Sequence, residues 1–194
     1  MHRLTAGFVL GYHGCDRKVG ERLLGGDDFK PSNSDYDWLG PGIYFWEANP
    51  LRGLEFAGEP RRRGVREPFV VGAAIELGWC LDLTTTAGIE LVTAAHQSLV
   101  AVTETARLTL PTNSEDSLRR NLDCAVMRRV HSILEEAGMP PVDTVRGVFI
   151  EGKPIYETAG FHTKTHIQIT VCNPACIKGV FRVPKDQLAP IVPA

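Results

Sequence analysis

The chain has 194 residues with a net charge of −2, and its hydrophobic and charged fractions are 43% and 23%. This length favours one domain spanning residues 1–194, with enough apolar side chains for a packed core. The charge gives no global positive field for nucleic acid or an acidic membrane, and no apolar run approaches the ~20 residues that span a bilayer.

The five cysteines, at positions 15, 80, 124, 172 and 176, are odd in number and irregularly spaced. The close pair Cys172 and Cys176 has no second ligand pair nearby, so we expect no zinc or other metal site. The amino-terminal segment MHRLTAGFVLGYHG lacks the long apolar region and the cleavage pattern of a signal peptide. These features predict a cytoplasmic, reducing setting.

The amino-terminal part of the chain predicts strands alternating with short helices. Apolar and β-branched runs indicate the strands, and Pro50 suits the first position of a helix. The polar segment DDFKPSNSDYDW predicts a loop. In chain order the predicted elements are a strand at 4–13, a helical turn at 17–26, a loop at 27–38, a strand at 42–47, a helix at 50–59, and strands at 69–78 and 79–84.

The middle of the chain predicts two helices, and the last part predicts three strands. Residues 88–108 carry apolar side chains at helical spacing, and 114–138 is a second helix that begins at Ser114 or Ser117 and ends at Gly138. The segments VRGVFIEG, THIQITVC and GVFRV are strand-like. Strands at both ends with helices between them predict an α+β fold, with a helical insertion at about 87–138 that covers a cleft or docks a partner.

Two glycine-framed motifs near the amino terminus place His13 in GYHGCD and Tyr44 in LGPGIYFWE. Taken singly, each residue has a structural interpretation, as a histidine that holds a turn and as a core aromatic. Gly14, however, has no Cβ, so a ligand such as a carboxamide can lie against its backbone N–H and C=O. Tyr44 offers a stacking face for a flat, electron-poor ring. Together they predict a site for a group such as nicotinamide.

The order Y-H-G and then G-x-G-I-Y-F resembles the diphtheria-toxin-like branch of ADP-ribosyltransferases, which includes the poly(ADP-ribose) polymerases. The resemblance implies a split β-sandwich core with a cleft for NAD between two small sheets, and NAD as a substrate. It implies that His13 binds the adenosine-ribose hydroxyls, that Gly14 holds the nicotinamide carboxamide and that Tyr44 stacks on the nicotinamide ring. Phe56 is the nearest candidate for a second stacking aromatic. Cys15 stands where the family usually has serine or threonine, and a thiol is a weaker hydrogen-bond donor.

The third motif of that family is a strand with glutamate in the polymerising members, and HIQITV fits the strand without the glutamate. The period of two places His166 and Gln168 on one face, and either residue is a candidate for the glutamate position. A polar outer face of an edge strand is the structural alternative. Glu157, in the loop that faces the acceptor in this family, is a candidate base, and Glu151 and Glu47 are secondary candidates.

These observations predict an NAD-dependent mono-ADP-ribosyltransferase, since without a third-motif carboxylate single transfer is favoured over chain elongation. The acceptor is a protein or a nucleic acid, and arginine clusters at 60–66, 119–120 and 128–129 lean toward nucleic acid. By analogy with the family, we expect a bacterial intracellular toxin or effector with an antitoxin or inhibitor protein as partner, and no membrane. The alternatives are a non-catalytic module that binds ADP-ribose or another nucleotide, and an NAD glycohydrolase.

Overall fold

The computed structural model describes residues 2–3, 7–60, 64–114 and 119–189, which form eight strands and four α-helices. The strands are β1 (His2–Arg3), β2 (Phe8–Asp16), β3 (Ile43–Glu47), β4 (Pro68–Glu76), β5 (Trp79–Asp82), β6 (Thr144–Phe149), β7 (His166–Val171) and β8 (Ile177–Arg182). The helices are α1 (Arg17–Leu24), α2 (Pro50–Ala57), α3 (Thr86–Thr105) and α4 (Asn121–Glu136), and two short 3₁₀ turns cover Pro174–Cys176 and Lys185–Leu188.

The strands form one mixed sheet in the order β1-β5-β6-β7-β3-β2-β4-β8. Only the β5–β6 pair is parallel among the described strands, and the other neighbours are antiparallel. The predicted α+β class is confirmed. The edge-strand interpretation of HIQITV is wrong, because β7 lies inside the sheet between β6 and β3.

Local signals account for the short helices. The Asp16 side chain accepts a hydrogen bond from the backbone N–H of Lys18 at the start of α1, and Asn49 caps α2 in the same way. Such caps satisfy backbone donors that have no partner within the helix. Pro50 is the first residue of α2, as the sequence predicts, and a glycine follows the last residue of each helix.

The start of α4 differs from the prediction. The helix begins at Asn121, and the first-turn N–H groups of Leu122 and Asp123 donate to the Asn113 side chain. Ser114 therefore does not begin the helix, and Ser117 lies outside the described residues. The prediction failed because the capping side chain comes from a segment that precedes the helix by several residues and returns to it.

The inserted helices belong to the core of the domain. α3 and α4 pack together over one face of β5 and β6, where the buried side chains include Leu81, Val130 and Val145. A second apolar cluster, which includes Phe45, Ile75 and Ile169, lies on the other side of the sheet. Within the described ranges, no helix combines the length and apolarity that a membrane crossing requires.

Candidate functional site

The junction between β2 and β3 is short. Their ladder consists of Gly11 opposite Glu47 and Tyr12 opposite Trp46, whereas β2 pairs with β4 along its whole length to Asp16. Past Tyr12 the two strands part, and a side chain replaces the backbone ladder. The His13 Nδ1 donates to the Tyr44 carbonyl oxygen at 2.9 Å, because a carbonyl can only accept. The sheet thus opens at the two residues that the sequence motifs single out.

Gly14 lies on β2 just beyond this junction. The Leu10 carbonyl accepts from the Ala48 N–H across the junction. Alternate residues of a strand direct their N–H and C=O to the same side, so those of Gly14 also face the opening. A Cβ at Gly14 would overlap the carbonyl oxygen of Gly53 in α2. Close packing against α2 therefore requires a glycine here, and the predicted carboxamide contact stays a prediction.

The two halves of the predicted site lie on opposite faces of the sheet. Tyr12 opposite Trp46, and Trp46 opposite Gln168, share one face. His13 therefore lies on the other face, where its ring is 5.7 Å from that of Phe45 and 5.3 Å from that of Phe29. His13 therefore bridges the junction on one face of the sheet, and Gln168 lies on the opposite face, which we call the front face.

Tyr44 is on the same face of the sheet as Gln168, where it packs against the apolar cluster that includes Val130 of α4. Its hydroxyl donates to the Gly40 carbonyl at 2.8 Å and accepts from the Leu39 N–H at 3.1 Å. Burial raises the pKa of Tyr44 far above its usual range. These contacts match the structural interpretation of Tyr44 as a core aromatic, and its stacking role stays a prediction.

The front face of β3, β7 and β6 carries a group of aromatic and polar side chains that we call the front cluster. Its ring centroids are 4.6 Å apart for Trp46 and Phe56, 5.6 Å for Phe149 and His166, and 5.0 Å for Trp38 and Phe149. The Trp46 ring is also 6.2 Å from that of His166, and Trp46 pairs across the sheet with Gln168, so three predicted site residues, Phe56, His166 and Gln168, come together around it. The front cluster consists of Trp38, Trp46, Arg52, Phe56, Phe149, Glu151, His166 and Gln168.

Trp38 and Gln168 are joined by a hydrogen bond of 2.6 Å from the indole Nε1 to the amide Oε1. Trp38 comes from the predicted loop, and its ring lies over Gly147 of β6, directly beside Gln168 in the sheet. A Cβ at Gly147 would come within 2.9 Å of the Trp38 ring. The glycine in VRGVF thus makes room for an indole that reaches β7.

His166 has a defined tautomer. Its Nδ1 lies 2.6 Å from the Lys164 carbonyl oxygen and donates to it. Burial, reinforced by the positive charge of Arg52, lowers the pKa of His166, while the bond to Lys164 and the charge of Glu151 oppose this shift. The neutral ring therefore carries its lone pair on Nε2, and that buried atom has no hydrogen-bond partner among the described residues.

Arg52 contributes a buried charge to the front cluster. Its Nη2 donates to Glu151 at 2.6 Å and to Glu59 at 3.4 Å, while Nε and Nη1 have no partner among the described residues. The indole Nε1 of Trp46 is likewise buried without one. Buried polar groups in proteins are nearly always paired, so this concentration of donors beside the His166 Nε2 suits a polar ligand or ordered water.

Other predicted residues lie outside the front cluster. Cys15 is buried on the His13 face against Gly20 of α1, and Glu157 is exposed in the connection between β6 and β7. Glu47 is engaged by Arg146 through two hydrogen bonds, at 2.6 and 3.0 Å. Within the described ranges, no three His, Cys, Asp or Glu side chains group as metal ligands.

Four residues of the front cluster are not predicted from the sequence: Trp38, Trp46, Arg52 and Phe149. Trp46 had a signal, because the period of two that applies to Tyr44 also places Trp46 on the same face. Trp38 had none, since its contact with Gln168 joins residues 130 positions apart. Arg52 resembled an ordinary surface residue of a short helix, and only the packing of α2 buries it.

Comparison with known proteins gives one short likeness. No family model and no solved structure matches the chain. A segment of 36 residues is 50% identical to an uncharacterized protein from Methanocaldococcus jannaschii, and covers 19% of this chain and 17% of that protein. The likeness therefore extends over a small part of both chains, and it connects this chain to no known activity.

Proposed function

We propose that this protein is an NAD-dependent mono-ADP-ribosyltransferase, built on a split β-sandwich in which the parting of β2 and β3 forms the cleft. One observation carries the proposal. The strands separate where His13 bonds to the Tyr44 carbonyl, and the front cluster with Gln168 and His166 lies beside that opening. The order of the sequence motifs supports the same activity independently.

The front cluster has groups suited to the nicotinamide half of NAD. The backbone N–H and C=O of Gly14 face the opening and complement a carboxamide. The rings of Trp46 and Phe56 supply aromatic surface next to α2, which packs over Gly14. Gln168 supplies hydrogen bonding in the middle of this face, opposite Trp46.

In the proposed reaction, the bond between the ribose C1′ and the nicotinamide nitrogen breaks, and its electron pair leaves with nicotinamide. The acceptor nucleophile then forms a bond to C1′, and its proton passes to the neutral His166 Nε2. Two carboxylates lie in or beside the front cluster, Glu151 and Glu59, and both contact Arg52. For this reason we assign the proton to His166 and not to a carboxylate. Because Gln168 brings no charge, this site favours single transfer over elongation.

We infer that the acceptor is a macromolecule, either protein or nucleic acid. The connection between β6 and β7 exposes 54% of Ile155, 60% of Tyr156 and 65% of Phe161, which is apolar surface that a macromolecule can bury. The arginines of α4 give less support to a nucleic-acid acceptor than the sequence indicates, because Arg128 bonds to Asn33 and Arg129 bonds to Glu136. Arginines 61–63 lie outside the described residues. A role as a bacterial intracellular toxin with an antitoxin partner rests on family analogy alone.

A second candidate is a non-catalytic module that binds ADP-ribose or another nucleotide. Two features of the front cluster favour it. The uncharged Gln168 is a candidate for the position where polymerising members of the family have glutamate, and Glu151 is bound to Arg52. Hydrolysis of NAD, with water as the acceptor, uses the same groups.

One assay separates the three activities. The purified protein is incubated with NAD labelled in its adenylate half and with cell lysate, and the products are then treated with protease or nuclease. Label in a macromolecule supports transfer. Release of that label by protease indicates a protein acceptor, and release by nuclease indicates a nucleic-acid acceptor. Free ADP-ribose supports hydrolysis instead, and intact NAD would refute both enzymatic activities. Trp79→Phe, which removes an indole in β5 away from the front cluster, should give the same products as the wild type.

A further inference from the structure

The hydrogen bond between Trp38 and Gln168 fixes which end of the Gln168 amide is available. An indole N–H can only donate, so the amide atom 2.6 Å from it is the oxygen. That oxygen faces Trp38, and the amide nitrogen Nε2 points the other way. Among the described residues, the Gln168 Nε2 has no hydrogen-bond partner. The free group at the centre of the front cluster is therefore a donor.

Trp38 is held in place by more than this bond. Its ring fits over Gly147 and contacts Phe149, and the Leu39 N–H that follows it in the chain donates to the Tyr44 hydroxyl. Paired backbone hydrogen bonds between Ser32 and Gly42, at 2.8 and 2.9 Å, close the same loop. Trp38 is thus positioned by its surroundings and imposes an orientation on Gln168.

We propose that Trp38 is a positioning residue that makes Gln168 a hydrogen-bond donor to an oxygen of the bound ligand. The identity of that oxygen rests on the proposed function, in which it is the 2′-oxygen of the nicotinamide ribose. This polarity is the opposite of a carboxylate, which only accepts. A donor at this position donates a hydrogen bond to a lone pair of the ribose oxygen, so the hydroxyl proton is available to a different partner.

A site with a donor at this position distinguishes a hydroxyl from fluorine differently from a site with an acceptor. A fluorine in place of the ribose 2′-hydroxyl has lone pairs and no proton, so it can face a donor and is repelled by an acceptor. Gln168→Glu puts a carboxylate there, with one oxygen on the Trp38 N–H and the other facing the ligand. Leaving such a charged group without a donor is costly, whereas NAD can still donate its hydroxyl proton.

The test measures dissociation constants of NAD and its 2′-fluoro analogue by calorimetry. In the wild-type protein we expect the analogue to bind within about tenfold of NAD, and in Gln168→Glu we expect its relative affinity to fall by a further factor of about ten. Trp38→Phe frees the amide to rotate and should move the ratio away from the wild-type value. Trp79→Phe should leave it unchanged. Equal ratios in wild type and Gln168→Glu would overturn the inference.

A measurement without ligand separates failure of the inference from failure of the proposed function. In ¹⁵N-labelled protein, we expect Gln168→Ala to shift the Trp38 indole N–H resonance and speed its exchange with solvent, and to leave that of Trp79 unchanged. An unmoved Trp38 resonance would refute the positioning role even if NAD binds. A shifted resonance with no NAD binding would retain the amide orientation and refute both the ribose assignment and the proposed function.

Discussion

His13 bonds through Nδ1 to the carbonyl oxygen of Tyr44, 31 residues away, at the point where β2 and β3 cease to pair. A side chain thus takes over from the backbone ladder. Such a bond holds two strands together while leaving the backbone edge of the next residue, Gly14, free of a β3 partner. It is a structural device for opening a sheet without separating its two parts.

Replacing His13 tests this relationship. We expect His13→Ala to lower the free energy of unfolding by about 1 kcal/mol for the lost hydrogen bond, with a further loss from its ring contacts to Phe29 and Phe45. Urea unfolding measures the change. His96→Ala, in α3, is the control for removing an imidazole elsewhere. A His13 variant as stable as the wild type would show that the junction does not depend on this bond.

Gly14 should tolerate no side chain. A Cβ at this position would overlap the Gly53 backbone, so Gly14→Ala should destabilise the protein by about 3 kcal/mol. Gly179→Ala is a matched control, because Gly179 also lies in a strand and an added Cβ there meets nothing within 4 Å. That control should be neutral or slightly stabilising. Similar unfolding midpoints for the two variants would contradict the close approach of β2 to α2.

The lowered pKa of His166 gives stability a pH dependence. The folded protein binds this proton less readily than the unfolded chain, in which a histidine has a pKa near 6.5. The contribution is therefore present above pH 6.5 and is lost as the pH falls through the lower folded-state value. The groups that act on the ring are Arg52, Glu151 and the Lys164 carbonyl. His166→Gln should flatten the fall of the unfolding free energy between neutral and acid pH.

His131 is a second buried histidine, and it serves as the control for the effect of His166 on transfer. Burial also lowers the pKa of His131, so His131→Gln should flatten the same profile. Only His166→Gln should also impair ADP-ribose transfer, because His131 lies on α4 and is no part of the front cluster. A pH profile that is identical in wild type and both variants would contradict the burial of these rings.

The sequence predicted the order of the helices and strands from β2 to β8, and it predicted that two site residues share one face of a strand, because both depend on local patterns. Asn49 and Pro50 start α2 through neighbouring backbone, and the period of two places His166 with Gln168. It did not anticipate that the register of Tyr12 against Trp46 turns His13 to the opposite face. Register between strands depends on contacts that are distant in the chain, and so does the burial of Trp38 over Gly147.

Arg52 and Glu151 should behave as a coupled pair. Both side chains are largely buried, at 5% and 18% exposure, so removing Arg52 leaves the Glu151 charge poorly compensated. Arg52→Met should cost about 3 kcal/mol of stability, and adding Glu151→Gln should recover part of that loss. A double-mutant cycle by urea unfolding measures the coupling. Additive effects of the two changes would show that the pair contributes nothing specific.

The exposed connection between β6 and β7 should serve acceptor recognition rather than NAD binding. Tyr156→Ser together with Phe161→Ser removes apolar surface outside the front cluster, so the affinity for NAD should stay unchanged. Transfer to macromolecules should fall about tenfold, because exposed aromatic side chains are the groups that anchor such contacts. Labelled-NAD transfer and calorimetry measure the two effects separately.

Glu157→Gln completes this experiment, since Glu157 is exposed in the same connection and is the carboxylate that the family resemblance names as base. If the His166 Nε2 takes the proton, Glu157→Gln should leave NAD hydrolysis unchanged and His166→Gln should reduce it. The opposite pattern would assign the base to Glu157. That outcome would require the connection to fold over the front cluster when the acceptor binds, because in this structure Glu157 is exposed to solvent.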